Sequence, residues 1–328
     1  MNETSRMEQA RRRLANAIQR HAPRSGTHRT AIPDLTLLHA VRTSEPLESV
    51  YKPSICIVAQ GAKTAALADG TYTYDPMTYL VTSVELPIFG KIVEASPEIP
   101  YLSLKLCFDA DVILDVAGEI RPPELVSSEP VRGITVSRMS PALLEAACRL
   151  VELLDAPKDV PALAPLVIRE MLYRLLQGEQ GPLLRSFATV GSQSHLIAQS
   201  VRLINRQYQR PLRVEELAGA VNMSVSAFHK HFKRVTAMSP LQYQKTVRLQ
   251  EAKRLMLTEA APASEAAFRV GYESPSQFSR EYARLYGRPP MQDIQELREA
   301  AAVGASGAGG GTDGFQSAGG ADRGEYSL

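Results

Sequence analysis

The sequence predicts a two-domain α+β protein, in which a β-rich N-terminal domain with flanking helices precedes an all-α C-terminal domain. Its 328 residues exceed what one domain usually holds. Short β-type segments separated by turn residues fill about residues 32–136, and helical periodicity alone fills about residues 195–299. We therefore expect four parts: a helical extension at 1–30, a β domain with two C-terminal helices at 31–190, a helical domain at 191–299 and a disordered Gly-rich tail at 300–328.

The β-type segments are short and recur at intervals of roughly ten residues. They read TLLHAV, SICIVAQ, TYTYD, YLVTSVEL, PIFGKIVEA, YLSLKLCF and RGITVS. This spacing is typical of an antiparallel sandwich or barrel. Two apolar helices follow, one at 140–155 that begins with Ser140 as N-cap and Pro141 in its first turn, and one at 161–178 that ends at Gly178. Their apolar surface predicts both core packing and a homodimer interface.

Composition and charge exclude several classes of protein. Hydrophobic residues make up 44% of the chain and charged residues 22%, as in globular proteins, and no apolar run is long enough to span a membrane. The first thirty residues lack the apolar segment of a secretory signal, so we expect a cytoplasmic protein. The three cysteines lie far apart and encode neither a disulfide framework nor a CxxC metal site. Residues 195–299 carry 16 Lys and Arg against 10 Asp and Glu, which indicates a polyanionic partner for this part.

A repeat with an offset of fifty residues lies in the helical part. The segment VSAFHKHFKRVTAMSP at 225–240 aligns without a gap with PSQFSREYARLYGRPP at 275–290. A short Ala-rich helix and a tight turn precede each copy, so each unit reads as helix, turn, helix. Residues spaced i, i+4 and i+7 share one helix face, and the apolar residues at this spacing predict the core: Phe228, Phe232 and Val235 in the first copy, and Phe278, Tyr282 and Leu285 in the second.

The opposite faces of these two helices carry residues suited to reading DNA. Small polar, amide and cationic side chains match the donors and acceptors of the major groove. We expect base contacts from Ser226, His229 and Lys230 in the first copy and from Ser276, Gln277 and Arg280 in the second, with phosphate contacts from Lys233 and Arg284. A solvated helix face is the alternative, and the duplication together with the basic charge favours DNA. The connecting segment 239–257 would form one helix of about 27 Å, which suits the roughly 34 Å between successive major grooves.

Residues 195–294 resemble the DNA-binding domain of the AraC/XylS family of bacterial transcription regulators. The resemblance rests on LAGAVNMS, FHKHFKR, MSPLQYQKTVRLQEAKRLML and VGYESPSQFSREYARLYGRPP. Ala237 stands where the family usually has Gly, Pro289 where it has Ser, and Asp293 where an aromatic residue is common. Upstream, VYKPSICIVAQGAK, YDPMTYLVTSVELP, EASPEIPYLSLKL and LAPLVIREMLYRLLQG resemble the N-terminal domain of one AraC-like subfamily. The resemblance implies a cupin-like β-barrel that binds a small organic effector, a homodimer on double-stranded DNA in the nucleoid, and contact with RNA polymerase.

A metal-dependent N-terminal domain is not expected. Metal-binding cupins use two closely spaced His, a Glu and a later His, whereas no His lies between residues 40 and 194. We therefore expect no metal, no cofactor and no catalytic residue. The candidates for effector binding are Cys56, Gln60, Tyr79 and Cys107. Strand alternation places Cys56 and Gln60 on one face without telling which face points inward, and the two cysteines are either small buried residues or reactive thiols.

The sequence thus predicts a ligand-responsive transcription regulator and leaves two alternatives open. The first is a DNA-binding enzyme with a catalytic N-terminal domain, such as an alkyl-transfer repair protein that uses a metal-activated Cys. The isolated cysteines argue against it. The second is a constitutive DNA-binding protein whose barrel senses nothing, which a ligand screen by thermal shift distinguishes from a sensor.

Overall fold

The computed structural model describes residues 3–68, 70–120 and 132–306. The chain divides into two compact units. Unit 1 comprises Met1–Ile204 and Arg213–Tyr243, and unit 2 comprises Asn205–Leu212 and Gln244–Leu328.

Ten strands in the described part of unit 1 form two antiparallel sheets. Their bounds are β1 Gly26–Arg29, β2 Leu35–Ala40, β3 Leu47–Tyr51, β4 Ser54–Gln60, β5 Ala62–Leu67, β6 Gly70–Tyr74, β7 Thr78–Thr82, β8 Leu86–Glu94, β9 Tyr101–Cys107 and β10 Ile134–Arg138. The first sheet has the order β1-β2-β9-β4-β7-β10, and the second has the order β3-β8-β5-β6. The strand content was predicted, but β1, β3 and β5 were missed, because GTHR and AKTAAL each contain a single β-branched residue and LESVY contains only two strand-favouring residues, both at its end.

The two sheets do not join into the closed barrel that the resemblance implied. The strands β6 and β7 are consecutive, yet they belong to different sheets. The turn between them is closed locally, because the Asp75 carboxylate accepts hydrogen bonds from the Met77 N–H at 2.9 Å and the Thr78 hydroxyl at 3.0 Å. A turn that satisfies its own polar groups ends one hydrogen-bonded ladder and lets the next strand pair elsewhere.

Helices cover one face of the first sheet. They include α1 Glu3–His21, α2 Ala110–Gly118, α3 Pro141–Glu152, α4 Val160–Gln177 and α5 Gly181–Ala188. The core of this layer combines helix residues such as Leu14 and Leu144 with strand residues such as Ile55 and Leu104. The N-terminal helix is therefore part of the packed domain, and Arg13 ties it to α3 through ion pairs with Glu145 at 3.1 Å and Glu152 at 2.9 Å.

The two predicted apolar helices differ in what they leave exposed. The N-cap prediction for α3 is confirmed, since the Ser140 hydroxyl accepts a hydrogen bond from the Leu143 N–H at 3.2 Å. The apolar side chains of α3 are buried inside unit 1. Helix α4 instead leaves Leu163, Leu166 and Tyr173 exposed. Only α4 therefore retains apolar surface of the kind that marks an association site.

The remaining helices run to the end of the described chain. They are α6 Gln193–Gln207, α7 Val214–Ala220, α8 Val225–Thr236, α9 Pro240–Thr258, α10 Ala263–Arg269, α11 Pro275–Tyr286 and α12 Pro290–Ser306. Helix α12 continues through seven residues of the predicted tail, as the Ala-rich sequence after Glu299 favours. Residues 307–328, the rest of the predicted tail, lie outside the described residues. Within the described ranges, no helix has both the length and the apolar character required to cross a membrane.

Candidate nucleic-acid interface

The first helix-turn-helix unit is built from α7 and α8. In the turn, Asn222 takes a left-handed conformation with φ of 52°, which Asn tolerates better than most residues. The Ser224 hydroxyl then caps α8 by accepting a hydrogen bond from the Ala227 N–H at 3.2 Å. Phe228 and Phe232 are fully buried, with ring centroids 5.5 Å apart, so the predicted apolar face of α8 is confirmed as core.

The second unit repeats this design in α10 and α11. Its turn is one residue longer and places Gly271 in the left-handed position, with φ of 91°. Ser274 caps α11 by accepting a hydrogen bond from the Gln277 N–H at 3.4 Å, and Pro275 occupies the first turn. Phe278 and Tyr282 are fully buried, whereas Leu285 is half-buried. The two recognition helices thus arise from the same local signals.

The residues predicted to contact DNA lie opposite the buried faces. In α8, Ser226, Lys230 and Lys233 are exposed and His229 is half-buried. In α11, Ser276, Gln277, Arg280 and Arg284 are exposed. Each recognition helix therefore presents a small polar residue in its first turn and two cations further along the same face, and these side chains match the hydrogen-bonding groups of the major groove.

Within α11, a carboxylate neighbour holds the side chain of Gln277. Glu281 accepts hydrogen bonds from the amide of Gln277 at 3.3 Å and from the hydroxyl of Tyr272 at 2.8 Å, and it forms an ion pair with Lys245 at 2.9 Å. Burial opposes the charged form of Glu281, but these donors outweigh it and lower the pKa of the carboxyl group. The negative charge of Glu281 on this recognition helix is therefore stabilised by Tyr272, Gln277 and Lys245.

Arg248 in α9 joins the turn of the second helix-turn-helix unit to the segment that follows α6. Its guanidinium donates to four carbonyl oxygens: those of Tyr208 at 2.6 Å, Gly271 at 3.0 Å, Arg210 at 3.0 Å and Gln209 at 3.1 Å. A Cβ on Gly271 would lie 2.1 Å from the Gln209 oxygen, so the turn approaches this segment as closely as a backbone can. The sequence prediction missed Arg248. Its only signal is a basic residue on the inner side of the connecting helix.

Two of the three departures from the family pattern have a local explanation in the structure. Ala237 ends α8 in the left-handed conformation with φ of 65°, where Gly287 ends α11 with φ of 78°. Asp293 accepts a hydrogen bond from the buried Tyr282 hydroxyl at 2.7 Å and pairs with Lys253 at 3.0 Å. Nothing in the structure explains Pro289.

Comparison with known proteins decides the family. Residues 31–183 match the family model described as the AraC-type transcriptional regulator N-terminus. Residues 217–295 match a helix-turn-helix domain model. The chain belongs to the AraC-type transcriptional regulators.

The regulator is similar to several characterised proteins. The lactose operon transcription activator of Staphylococcus xylosus is 24% identical over 244 residues, which cover 73% of this chain and 82% of that protein. The transcriptional regulator ExsA of Pseudomonas aeruginosa is 28% identical over 167 residues, 51% of this chain and 59% of ExsA. Among solved structures, wild-type ToxT of Vibrio cholerae with a bound unsaturated fatty acid has a TM-score of 0.51 at 11% identity, covering 79% of this chain and 94% of ToxT. This likeness supports the two-domain fold.

In unit 1 of the regulator, the β domain contacts the first helix-turn-helix unit. The Gly133 N–H donates a hydrogen bond to the Val235 carbonyl at 2.9 Å, and the Tyr243 hydroxyl donates to the Glu85 carbonyl at 2.9 Å. Tyr243 is fully buried and packs edge-on against Phe232, with ring centroids 5.7 Å apart. The end of the first recognition helix is therefore bonded to the segments that flank β10 and β8.

The four candidate effector residues are not brought together. Cys56 faces the second sheet, whereas the buried Tyr79 lies on the opposite face, in the core formed with the helices. A register shift between Val58 and Gln60 breaks the expected alternation, so the prediction that Gln60 shares the face of Cys56 is wrong. Gln60 lines a cleft of about 400 Å³ beside α1 and donates to the Pro100 carbonyl at 2.9 Å. Cys107, at the end of β9, pairs with Ser54.

The environment of the cysteines favours the interpretation as buried residues. Burial raises the pKa of Cys56 and of Cys107, and it raises the pKa of Cys148 to about 12. A thiol with a raised pKa carries little of the reactive thiolate at neutral pH. Among the residues that the structure describes, no group of three or more His, Cys, Asp or Glu is arranged to hold a metal ion.

Proposed function

We propose that this AraC-type regulator reads DNA through both recognition helices and that a small organic effector, bound by its β domain, controls this reading. The observation that carries the proposal is the pair of exposed polar and cationic helix faces, each on a separate helix-turn-helix unit with its own buried aromatic core. A solvated surface would not require two copies of the same arrangement at matched positions.

We assign base contacts and phosphate contacts to different side chains according to their chemistry. Ser226, His229 and Lys230 on α8 contact base edges, as do Ser276, Gln277 and Arg280 on α11. Lys233 and Arg284 lie further along their helices and contact phosphates. We keep the predicted boundaries for these roles, with residues 31–190 as the effector part and 191–299 as the DNA-binding part.

Control by an effector requires a physical link between the two parts. The hydrogen bonds from Gly133 to Val235 and from Tyr243 to Glu85 support such a link, because they bond the β domain to the base of the first recognition helix. ToxT, which is similar in fold, was crystallised with an unsaturated fatty acid, and we propose that this chain also receives a small organic molecule. Working on DNA, it would act in the cytoplasm at the nucleoid and contact RNA polymerase there.

The exposed apolar face of α4 supports a homodimer. Leu166 is 63% exposed, Leu163 42% and Tyr173 40%, and these side chains follow one side of the helix. Sedimentation of the full-length chain at micromolar concentration tests this part. We expect a dimer that Leu166→Glu converts to the 35.9 kDa monomer. A wild-type chain that sediments as a monomer with and without DNA contradicts the dimer.

The alternative of a metal-activated enzyme is tested by elemental analysis. We expect the purified chain to lack stoichiometric zinc, iron or manganese and to keep its DNA binding after treatment with a chelator. One metal ion per chain, lost together with DNA binding, would favour the enzyme.

The decisive experiment is selection of bound DNA from genomic fragments by the full-length chain. We expect enriched fragments to share two short motifs about one helical turn apart, since each recognition helix reads one major groove. The double variant Lys230→Ala and Arg280→Ala should lose this enrichment and keep only salt-sensitive binding to any DNA. Recovery of unrelated sequences by the wild-type chain would refute sequence-specific reading.

A further inference from the structure

A cluster of polar side chains lies between the two sheets, on the faces turned away from the helices. We call it the interior cluster and define it as Tyr51, Cys56, Lys63, Tyr74, Tyr101 and Lys105. The strand registers place its members opposite one another, since Lys63 pairs with Tyr74 in the second sheet and Cys56 pairs with Lys105 in the first. The interior cluster therefore joins both sheets.

Lys63 is at the centre of the interior cluster. Its ammonium group is hydrogen-bonded to Tyr51, lies 5.7 Å from the centre of the Tyr51 ring and interacts with Tyr101 and Cys56. Gly90 makes room for this arrangement, because a Cβ there would lie 2.6 Å from the Tyr51 hydroxyl and 3.1 Å from Cε of Lys63. The neighbouring strand thus leaves space for the side chains of Tyr51 and Lys63.

The charge of the interior cluster is not balanced. Within the described residues, no carboxylate forms an ion pair with Lys63 or Lys105. Both lysines are half-buried, and partial removal of a cation from water without an opposite charge is unfavourable. Arg13 on α1, by contrast, is paired with Glu145 and Glu152. The neighbours of Lys63 are hydroxyl groups and a thiol, and together they raise the pKa of its ammonium group despite burial. A cation held by such neutral partners, with no carboxylate among them, is expected where a ligand supplies the balancing anion.

The tyrosines of the interior cluster supply neutral hydroxyl groups. Tyr51, Tyr74 and Tyr101 are at most 9% exposed. Burial raises the pKa of Tyr74 and of Tyr101, so both phenols stay protonated at neutral pH and keep an O–H to donate. An ammonium group beside phenol hydroxyls is a set of donors suited to an oxyanion.

We propose that the space between the two sheets receives the carboxylate of a small organic molecule, bound by the ammonium group of Lys63 and the hydroxyl of Tyr51. The proposal rests on the proposed effector function and names the chemical class of the effector. One ammonium and one hydroxyl match the two oxygens and the single charge of a carboxylate. A phosphate dianion would require more donors than Lys63 and Tyr51 present.

Thermal unfolding of the full-length chain with defined probes tests this proposal. The probes are acetate, benzoate and octanoate, each compared with its uncharged amide, and inorganic phosphate. We expect at least one carboxylate to raise the Tm by about 2 °C or more at millimolar concentration, because a ligand bound only by the folded state stabilises it. Its amide and phosphate should leave the Tm unchanged. No shift with any carboxylate, or an equal shift with the amide or with phosphate, overturns the proposal.

Two variants and one matched control test whether the carboxylate binds at Lys63 and Tyr51. Lys63→Met and Tyr51→Phe should each raise the Kd of the active carboxylate about tenfold or more, as expected when a charged hydrogen bond is lost. Lys91→Met removes a lysine from the other face of the same sheet, opposite Thr64, and should bind like wild type. Without ligand, Lys63→Met should melt close to wild type, because it removes a half-buried charge and also the hydrogen bond of that charge to Tyr51. A lower ligand-free Tm together with an unchanged carboxylate response means that Lys63 is a structural residue.

Binding to the selected DNA separates this proposal from the proposed function. Lys63→Met should still bind that DNA and lose only the response to the carboxylate. If wild type binds the DNA specifically and no carboxylate shifts its Tm, the carboxylate site is wrong and DNA reading stands. If the wild type fails to bind DNA specifically while the carboxylate binds through Lys63, the proposal of DNA reading is wrong and the carboxylate site stands.

Discussion

The hydroxyl of Tyr243 donates a hydrogen bond to the main-chain carbonyl of Glu85, with 2.9 Å between the two oxygens. The two residues are separated by 158 positions in the sequence. Tyr243 belongs to the first turns of α9, directly after the first recognition helix, whereas Glu85 precedes β8 of the β domain. This bond joins the β domain directly to the segment that follows the first recognition helix.

Tyr243→Phe should lower the free energy of unfolding of the chain by about 1 kcal/mol, because it removes one buried hydrogen bond and keeps the ring that packs on Phe232. Urea denaturation measures the change. Tyr173→Phe is the matched control and should change the stability by less than about 0.5 kcal/mol, since Tyr173 is exposed. Equal effects of the two substitutions would contradict a stabilising contact at Glu85.

Ala237→Gly should stabilise the chain, by about 0.5–1 kcal/mol, because Ala237 ends α8 in a left-handed conformation that costs nothing for Gly. Gly287→Ala, at the equivalent end of α11, should destabilise it by about 1 kcal/mol for the same reason. Ala283→Gly in the interior of α11 serves as control and should destabilise, also by about 1 kcal/mol. If Ala237→Gly and Ala283→Gly shift the Tm in the same direction, the assigned backbone strain is wrong.

Arg248→Met should remove protection of the half-site read by α11 and leave protection of the half-site read by α8. The physical reason is that the Gly271 carbonyl in the turn of the second helix-turn-helix unit and three carbonyls at residues 208–210 lose their shared donor, which we expect to cost about 3 kcal/mol. Footprinting of the full-length chain on selected DNA measures both half-sites. Arg254→Met, on the same helix but in a surface ion pair with Glu251, should change neither. Uniform loss at both half-sites would indicate a general folding defect.

Base and phosphate contacts should differ in their dependence on DNA sequence and salt. Arg280→Ala and Lys230→Ala should each weaken binding to the selected site by about 1–3 kcal/mol and relax preference at one base pair. Lys233→Ala and Arg284→Ala should weaken binding to all DNA alike and reduce the slope of log K against log salt by about 1. Titrations at several salt concentrations distinguish the two classes, with Lys158→Ala, an exposed lysine of the other part of the chain, as control. If all four variants behave alike, the division of roles fails.

The sequence by itself determined the features that depend on near neighbours in the chain. Ser140 was predicted as an N-cap from the sequence, because a cap bonds an N–H three residues further on. Ser224 and Ser274 cap their helices by the same local rule. Phe228, Phe232, Phe278 and Tyr282 were recognisable as core because helical periodicity places residues four apart on one face. The polar faces of α8 and α11 follow from the same geometry, so the candidate DNA-binding residues could be named without a structure.

Only the tertiary structure decided the features that depend on residues far apart in the sequence. Strand alternation could not tell that Cys56 faces the second sheet and Tyr79 faces the helices, and the register shift at Gln60 leaves no local mark. Pairing partners, not strand propensity, made β5 a strand and separated β6 from β7. Arg248, Tyr243 and Lys63 acquire their roles from carbonyls and hydroxyls contributed by other elements. A side chain's partner across such a distance is fixed by how the sheets and helices pack, and packing is a property of the whole unit.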